Sequence, residues 1–244
     1  MRLFGLIGYP LGHSFSKKYF TGKFAEQGIT NCRYELFPIP SIDELPGLLL
    51  TNPELEGLNV TIPYKKEILP FLNASSIPDG LNACNCIRIR NGLLTGYNTD
   101  VVGFEQSLLP LLKKQHHRAL VLGNGGAAES VIYVLKKLDI EYEVVSRQLH
   151  AGSTLTYHDL TSELVKDYPL IINTSPVGTY PDTGNCPDIP YEGITSRHLL
   201  YDLVYNPPLT LFLQKGKERG AQIKNGEEML VLQAEESWNI WNRD

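Results

Sequence analysis

The segment that most restricts the fold lies in the middle of the chain. Arg118–Leu122 is a compact apolar run, and it ends on Gly123-Asn124-Gly125-Gly126-Ala127-Ala128. Beyond the glycines, apolar residues at 127, 128, 131, 132, 134, 135 and 138 recur at helical spacing. A buried strand, a glycine turn and an amphipathic helix in this order form one unit. The first Gly permits the tight turn, and the second lets a ligand approach the backbone closely. The small residue at 128 lets the helix pack on the strand. The helix start offers unpaired N–H groups and a partial positive charge, which suit a phosphate. A bare glycine match also describes a strand–helix turn without a ligand, but here both flanking elements are present. The segment is therefore expected to bind the pyrophosphate of a dinucleotide, with Gly123, Asn124, Gly125, Gly126 and Ala127 at the cofactor.

The rest of the chain alternates strand-like and helix-like segments, the pattern of an α/β fold. Residues 2–7 read as a first strand. Residues 16–27 read as a helix capped by Gly28, and residues 32–37 as a second strand. Ser41 and Glu44 resemble a capping box ahead of a helix over 45–50, which Pro46 weakens. Residues 57–62 read as a strand and 65–72 as a helix. Cys86–Arg90 and residues 93–96 read as a hairpin, because Asn91-Gly92 supplies the positive φ angles of a tight turn. After the glycine turn, 141–145, Leu170–Asn173 and 199–204 read as buried strands, the rhythm of a doubly wound parallel sheet. A last helix is expected over 227–241. A change of character near 98–103 divides the chain into 1–99 and a dinucleotide-binding domain over 100–226.

With 244 residues the chain is long enough for two domains that each bury a core. A net charge of −5 and only a short basic run, Lys113-Lys114 with His116-His117-Arg118, give no electrostatic footprint for nucleic acid. No stretch approaches the roughly 20 apolar residues that span a bilayer. The N-terminus is too short and too glycine-interrupted for a secretory signal. Cys32, Cys84, Cys86 and Cys186 lack metal-ligand spacing and are expected to be free thiols. No metal is expected, and the chain is expected in the cytoplasm.

Cofactor choice is read at the end of the strand after the glycine turn. An acid there would bind the ribose hydroxyls of NAD. This chain has Ser146 and Arg147 instead, which favours the 2′-phosphate of NADP. Three polar segments stand out in the first domain. In Gly8-Tyr9-Pro10-Leu11-Gly12-His13-Ser14-Phe15-Ser16, the hydroxyls of Ser14 and Ser16 could grip a carboxylate or cap the helix. In Asn59-Val60-Thr61-Ile62-Pro63-Tyr64-Lys65, a strand ends on Thr61 and Lys65 follows; alone, that lysine reads as a solvated helix residue. Gly96-Tyr97-Asn98-Thr99-Asp100 ends in an acid that could instead cap a helix. If Lys65 and Asp100 meet, the carboxylate holds the ammonium and the lysine can protonate a ketone oxygen as hydride reaches the carbon.

These motifs resemble the shikimate dehydrogenase family. The matching segments are 8–16, 59–65, 96–100, 123–128, Asn173-Thr174-Ser175-Pro176-Val177-Gly178, 201–208 and 226–233, in order along nearly the whole chain. The resemblance implies NADP-dependent, reversible reduction of 3-dehydroshikimate to shikimate in aromatic amino acid biosynthesis. It implies Ser14 and Ser16 on the substrate carboxylate, and Thr61, Asn85, Asp100 and Gln233 on its hydroxyls, with Tyr205 close by. Lys65 would be the acid/base paired with Asp100. Gly123–Ala127, Ser146, Arg147, Thr174, Leu203 and Gly226 would line the cofactor. The implied fold is an N-terminal α/β substrate domain, a Rossmann-type domain and a C-terminal helix (227–244) returning to the first domain. Small molecules would be the only partners, and the chain a monomer or homodimer.

The chain departs from the family pattern where the 2′-phosphate would sit. The family often has Asn-Arg-Thr with a further Arg nearby; here Ser146-Arg147-Gln148 is followed by His150 as the next basic residue, implying a looser hold on NADP. Asn82-Ala83-Cys84-Asn85-Cys86 replaces the usual Ala-Val-Asn-Thr. Two other readings stay open: a quinate/shikimate enzyme using NAD, and a non-catalytic dinucleotide-binding protein. Comparing shikimate with quinate separates the first, and the effect of losing Lys65 separates the second.

Overall fold

A computed structural model describes residues 1–12, 14–149 and 152–243. The chain divides into two compact units, Met1–Gly103 with Leu230–Asp244, and Phe104–Met229. No helix among the described residues is long and apolar enough to cross a membrane.

The first unit is built on β1 (Arg2–Gly8), α1 (Phe15–Glu26), β2 (Cys32–Pro38), α2 (Leu45–Thr51), β3 (Leu55–Val60), β4 (Ala74–Ser75), β5 (Cys86–Arg90) and β6 (Leu93–Tyr97). Its six strands lie in the order β2-β1-β3-β5-β6-β4. β1 pairs parallel with β2 and β3, while β5 runs antiparallel to both β3 and β6. β1 sits inside the sheet and is buried on both faces, with the period of two that a strand imposes. Leu3 and Ile7 enter one core with Leu58, Val60, Tyr64 and Ile87. Phe4 and Leu6 enter the other with Phe20, Phe24, Tyr34 and Trp241. The hairpin turns on Asn91 and Gly92, with φ of 51° and 75°.

α3 (Thr99–Leu108) starts in this unit, β7 (Arg118–Leu122) to β12 belong to the second, and α7 (Glu227–Asn242) ends the chain back in the first. Trp241 fixes α7 there. Its indole stacks on Phe4 at 4.8 Å between ring centroids, and its Nε1 donates to the Ile87 carbonyl at 3.0 Å. Gly57 makes room for it, since a Cβ at that position would overlap the indole ring. Lys23, Tyr19 and Glu235 add a polar clamp between α1 and α7, with Lys23 Nζ 2.7 Å from both Glu235 carboxylate oxygens. Burial works against the Glu235 charge, but the Lys23 and Tyr19 hydrogen bonds outweigh it and hold its carboxyl below the usual range.

The second unit contains β7, α4 (Gly126–Lys137), β8 (Glu141–Ser146), β9 (Leu155–Thr156), α5 (Ser162–Asp167), β10 (Leu170–Asn173), β11 (Leu199–Asp202), α6 (Leu211–Glu218) and β12 (Gln222–Lys224). All its strands are parallel, in the order β12-β11-β10-β7-β8-β9. The chain winds outward from β7 on one side and from β10 on the other. The junction of these two strands is the topological switch point, where ligands of open α/β sheets bind beyond the strand ends.

Two local expectations are corrected. Residues 65–72 form a run of turns ending in a 3-10 turn at Leu69–Phe71, not an α-helix. Pro70 has no N–H to donate, and the backbone closes through three-residue bonds such as Leu69 N to Lys66 O and Phe71 N to Ile68 O. The capping box of Ser41 with Glu44 does not form. Ser41 accepts from Asp43 N and caps a short 3-10 turn, and Pro46 falls in the first turn of α2, where a missing N–H costs little.

Candidate active site

In the first unit, Lys65 and Asp100 meet. Lys65 Nζ lies 2.7 Å from Asp100 Oδ2, with the two side chains 19% and 12% exposed. Each is placed by backbone geometry. The Lys65 carbonyl accepts from Cys84 N at 2.8 Å, which pins the turn after β3 to the extended segment leading into β5. Asp100 lies in the first turn of α3, where free N–H groups favour a carboxylate. The pair is mostly dehydrated but still reachable, as a proton-transferring group must be.

A buried polar network underlies this pair. Asn85 grips the start of α3: its Oδ1 accepts from Thr99 N at 2.6 Å and its Nδ2 donates to Thr99 Oγ1 at 3.0 Å. Thr99 Oγ1 lies 3.4 Å from Gln233 Oε1 and 3.3 Å from Ser237 Oγ. Gln233 Nε2 donates to Leu230 O, and Ser237 Oγ donates to Gln233 O. Asn59 Nδ2 donates to Ser237 Oγ at 2.9 Å, and Tyr34 Oη donates to Asn59 Oδ1 at 2.8 Å. Burial pushes the Tyr34 phenol well up, with a Ser16 hydrogen bond opposing it, so Tyr34 acts as a neutral donor. Gln233, on α7, is buried at 7% exposure. Its Oε1 and one Nε2 proton are taken inside the protein.

The other expected residues of this unit sit around the same elements. Ser14 is the N-cap of α1 and accepts from Lys17 N at 3.3 Å, so its own proton is left to donate. Ser16 lies in the first turn of that helix. Thr61 follows β3, and its N–H donates to Ile7 O. Gly8 allows that approach, because a Cβ there would crowd the Thr61 side chain. Tyr205 belongs to the second unit, after β11, and is partly exposed. All four cysteines are free. Burial pushes the Cys84 thiol up to about 11 and the Cys86 thiol higher still, which makes both poor nucleophiles.

In the second unit a cavity of about 610 Å³ opens at the switch point. Gly123, Asn124, Gly125, Ser146, Arg147 and Thr174 line it. Gly123 has φ of +105°, and a Cβ there would lie 3.1 Å from Thr174 Oγ1, so backbone and packing both require glycine. Thr174 in turn donates to the carbonyls of Leu122 and Gly123. Gly125 differs. Its φ of −75° suits any residue, and a Cβ there or on Gly126 would meet nothing within 4 Å. Nothing in the protein demands glycine at these two positions, but a side chain would fill the space in front of the first turn of α4. That helix start has no side-chain cap. Open glycines before an uncapped helix fit a pyrophosphate. Arg147 is exposed at the rim. Ser146 lines the cavity but donates to Gln148 O at 2.6 Å, so it braces the turn that carries Arg147. Gly126 and Ala127 form the first turn of α4. Leu203 and Gly226 lie outside this cavity and touch each other, since a Cβ on Gly226 would overlap the Leu203 carbonyl. His150 lies outside the described residues.

Asp202 organises the loops around the cavity from behind. It is fully buried at the end of β11 and accepts from Asn173 Nδ2 at 2.9 Å, Val204 N at 3.0 Å and Thr210 Oγ1 at 2.6 Å. Burial pushes its carboxyl up to about 6 against the pull of those three donors. Residues that sequence reasoning did not single out are Tyr34 and Ser237 in the network, and Tyr157, His158 and Asp188 on the cavity wall, while Asn59 and Thr99 lie in motifs it noted without giving them a role. Ser175-Pro176-Val177, also on that wall, belong to a matched motif without an assigned role.

Comparison with known proteins agrees with both halves. Residues 6–87 match the model of the shikimate dehydrogenase substrate binding domain. The chain is 38% identical to the NADP(+)-dependent shikimate dehydrogenase of Syntrophomonas wolfei, over 95% of this chain and 86% of that protein. It superposes with a TM-score of 0.85 on a chorismate mutase/shikimate 5-dehydrogenase fusion protein from Clostridium acetobutylicum. That match has 33% identity and covers 99% of this chain and 91% of the other. A shikimate 5-dehydrogenase from Thermus thermophilus, solved in complex with NADP(H) and shikimate, gives a TM-score of 0.86 at 29% identity, covering 99% and 94%. With the glycine turn at a Rossmann switch point and a lysine–aspartate pair beside a buried amide network, this chain belongs to the NADP-dependent shikimate dehydrogenase family.

Proposed function

We propose that the chain catalyses the reversible NADP-dependent reduction of 3-dehydroshikimate to shikimate, a step of aromatic amino acid biosynthesis. The observation that carries this reading is the Lys65–Asp100 pair, held at 2.7 Å and largely shielded from water. NADPH, when bound, supplies the hydride. Lys65 Nζ then gives a proton to the ketone oxygen as negative charge develops on it. Asp100 favours the ammonium form beforehand and keeps it oriented. In the oxidative direction Lys65 takes the hydroxyl proton back. Ser14 and Ser16 are assigned to the substrate carboxylate, and Thr61, Asn85, Asp100 and Gln233 to the ring hydroxyls. Tyr205 is a further proposed substrate contact. The cofactor is assigned to the N–H groups of Gly123–Ala127, with Ser146, Arg147, Thr174, Leu203 and Gly226. The activity is placed in the cytoplasm, with the chain as a monomer or homodimer acting on small molecules.

Lys65→Met tests this reading against a non-catalytic dinucleotide-binding protein. The variant should bind NADP as the wild type does and lose most of its turnover, by a factor of about 10² to 10⁴. Undiminished turnover with a lysine-free site would remove Lys65 from the chemistry.

A further inference from the structure

Four consecutive residues, Thr174, Ser175, Pro176 and Val177, line the cofactor cavity just beyond β10. Thr174 is tied to the glycine turn through the Leu122 and Gly123 carbonyls. The rest of the loop hangs on the side chain of Asn173. Its Oδ1 accepts from Ser175 N at 3.1 Å and Ser175 Oγ at 2.6 Å, and its Nδ2 donates to Val177 O at 3.4 Å. Ser175 Oγ in turn accepts from Val177 N at 3.4 Å. A side-chain amide has two donor protons and two acceptor sites, so three of the four are spent on the loop. The fourth reaches out of it: Nδ2 donates to Asp202 Oδ1 at 2.9 Å.

Asn173 and Asp202 are register partners at the ends of β10 and β11, and both are fully buried. A carboxylate only accepts, so it takes the NH2 end of the amide and turns the carbonyl end toward Ser175. Asp202 is itself fixed by Val204 N at 3.0 Å and Thr210 Oγ1 at 2.6 Å. Without the carboxylate, every bond of the Asn173 side chain runs to the loop that it holds, and amide and loop can move together. We propose that Asp202 is a positioning residue for the cofactor: through the Asn173 amide it sets the 175–177 loop against the part of the dinucleotide that NADP and NAD share. This rests on the cofactor reading above. The sheet order supports the shared part over the 2′-phosphate. β7 lies between β10 and β8, so the loop leaves the sheet two strand spacings, roughly 10 Å, from the end of β8 where Ser146 and Arg147 sit. A wall held in place beforehand spares the ligand the cost of ordering it.

Calorimetric titration of NADP+ and NAD+ into the full chain tests this without turnover. Asp202→Ala should weaken both by the same factor, about tenfold, and leave the ratio of the two affinities as in the wild type. Asp202→Asn, whose side-chain oxygen still accepts from Asn173, should restore the wild-type affinity. Thr210→Ala removes the donor to Oδ2 and the cap of α6. It should lower the melting temperature and keep the wild-type affinity, which separates positioning from stability. Asn173→Ala should weaken both dinucleotides as Asp202→Ala does, and the double variant should bind no worse than either single one. Wild-type affinity in Asn173→Ala would overturn the proposal even if Asp202→Ala does not fold, because Asp202 would have nothing to act through. An Asp202→Asn variant that binds no better than Asp202→Ala, or an equal loss in Thr210→Ala, would overturn it too. In each of these cases wild-type binding leaves the cofactor reading standing. Failure of the wild type to bind either dinucleotide would overturn the cofactor reading itself, and the proposal with it.

Discussion

Replacing Asp202 by Asn should change how stability responds to pH, and the direction follows from the structure. In the wild type, Oδ1 accepts from Asn173 Nδ2 and Val204 N, and Oδ2 accepts from Thr210 Oγ1. An Asn side chain can keep its oxygen at the first position and place Nδ2 at the second. It would then donate to Thr210 Oγ1, which only reverses one bond, so the substitution removes a charge at nearly constant shape. The native carboxyl titrates near 6, against 3.8 for the unperturbed group. Between these values the native state holds a proton that the unfolded chain has released. Stability from this group is therefore full below pH 3.8 and lost as pH rises through 6. The full difference is about 3 kcal/mol, and the part lost between pH 5 and 7.5 is about 1.4 kcal/mol. Urea unfolding of wild type and Asp202→Asn at these two pH values isolates the term, since every other group cancels. The wild type should lose about 1.4 kcal/mol relative to the variant on going from pH 5 to 7.5. Parallel pH profiles would mean that the carboxyl is not raised, and a change of opposite sign would mean that its three donors outweigh its burial.

Other substitutions separate residues that serve the fold from those that serve the ligand. Gly125→Val should leave the melting temperature nearly unchanged, because its backbone is extended and the space is open, yet weaken NADP binding at least about tenfold by blocking the helix start; unchanged binding by fluorescence titration would remove the pyrophosphate from that site. Gly57→Ala should do the reverse, costing about 1–3 kcal/mol in urea unfolding by displacing Trp241, with any folded fraction keeping its affinity for NADP. Asp100→Asn should lower kcat by about 10² or more while the circular dichroism spectrum is retained; a rate equal to wild type would show that Lys65 needs no partner.

The parts of this molecule that were legible in its sequence are those carried by local chemistry. The glycine turn declared itself because Gly123, Gly125 and Ala128 are separated by fixed offsets between a strand and a helix. Lys65 and Asp100 could each be named as candidates, but each alone had an ordinary alternative reading. Their contact depends on the turns after β3 and on Asn85 holding the start of α3, which are tertiary facts. The Asn59–Ser237–Thr99 network was hidden for the same reason: its members are 178 and 138 residues apart in their key pairs. β9 has two residues and so no periodicity to detect. That is why Tyr157 and His158 passed unnoticed although they line the same cavity as Arg147. The helix expected over 65–72 failed because apolar spacing outvoted Pro70. Gln233 was named from the family pattern, and the structure adds what the pattern could not: its carbonyl faces Thr99 and its amide nitrogen donates to Leu230 O.

A matrix of shikimate and quinate against NADP+ and NAD+, followed by the absorbance of the reduced nicotinamide, tests the proposed activity most directly. Shikimate with NADP+ should give the highest kcat/KM, NAD+ a lower but measurable one, and quinate little with either. Turnover on quinate that exceeds turnover on shikimate would contradict the substrate assignment, and no reduction in any of the four combinations would contradict the assignment of Lys65 and Asp100 to ketone chemistry.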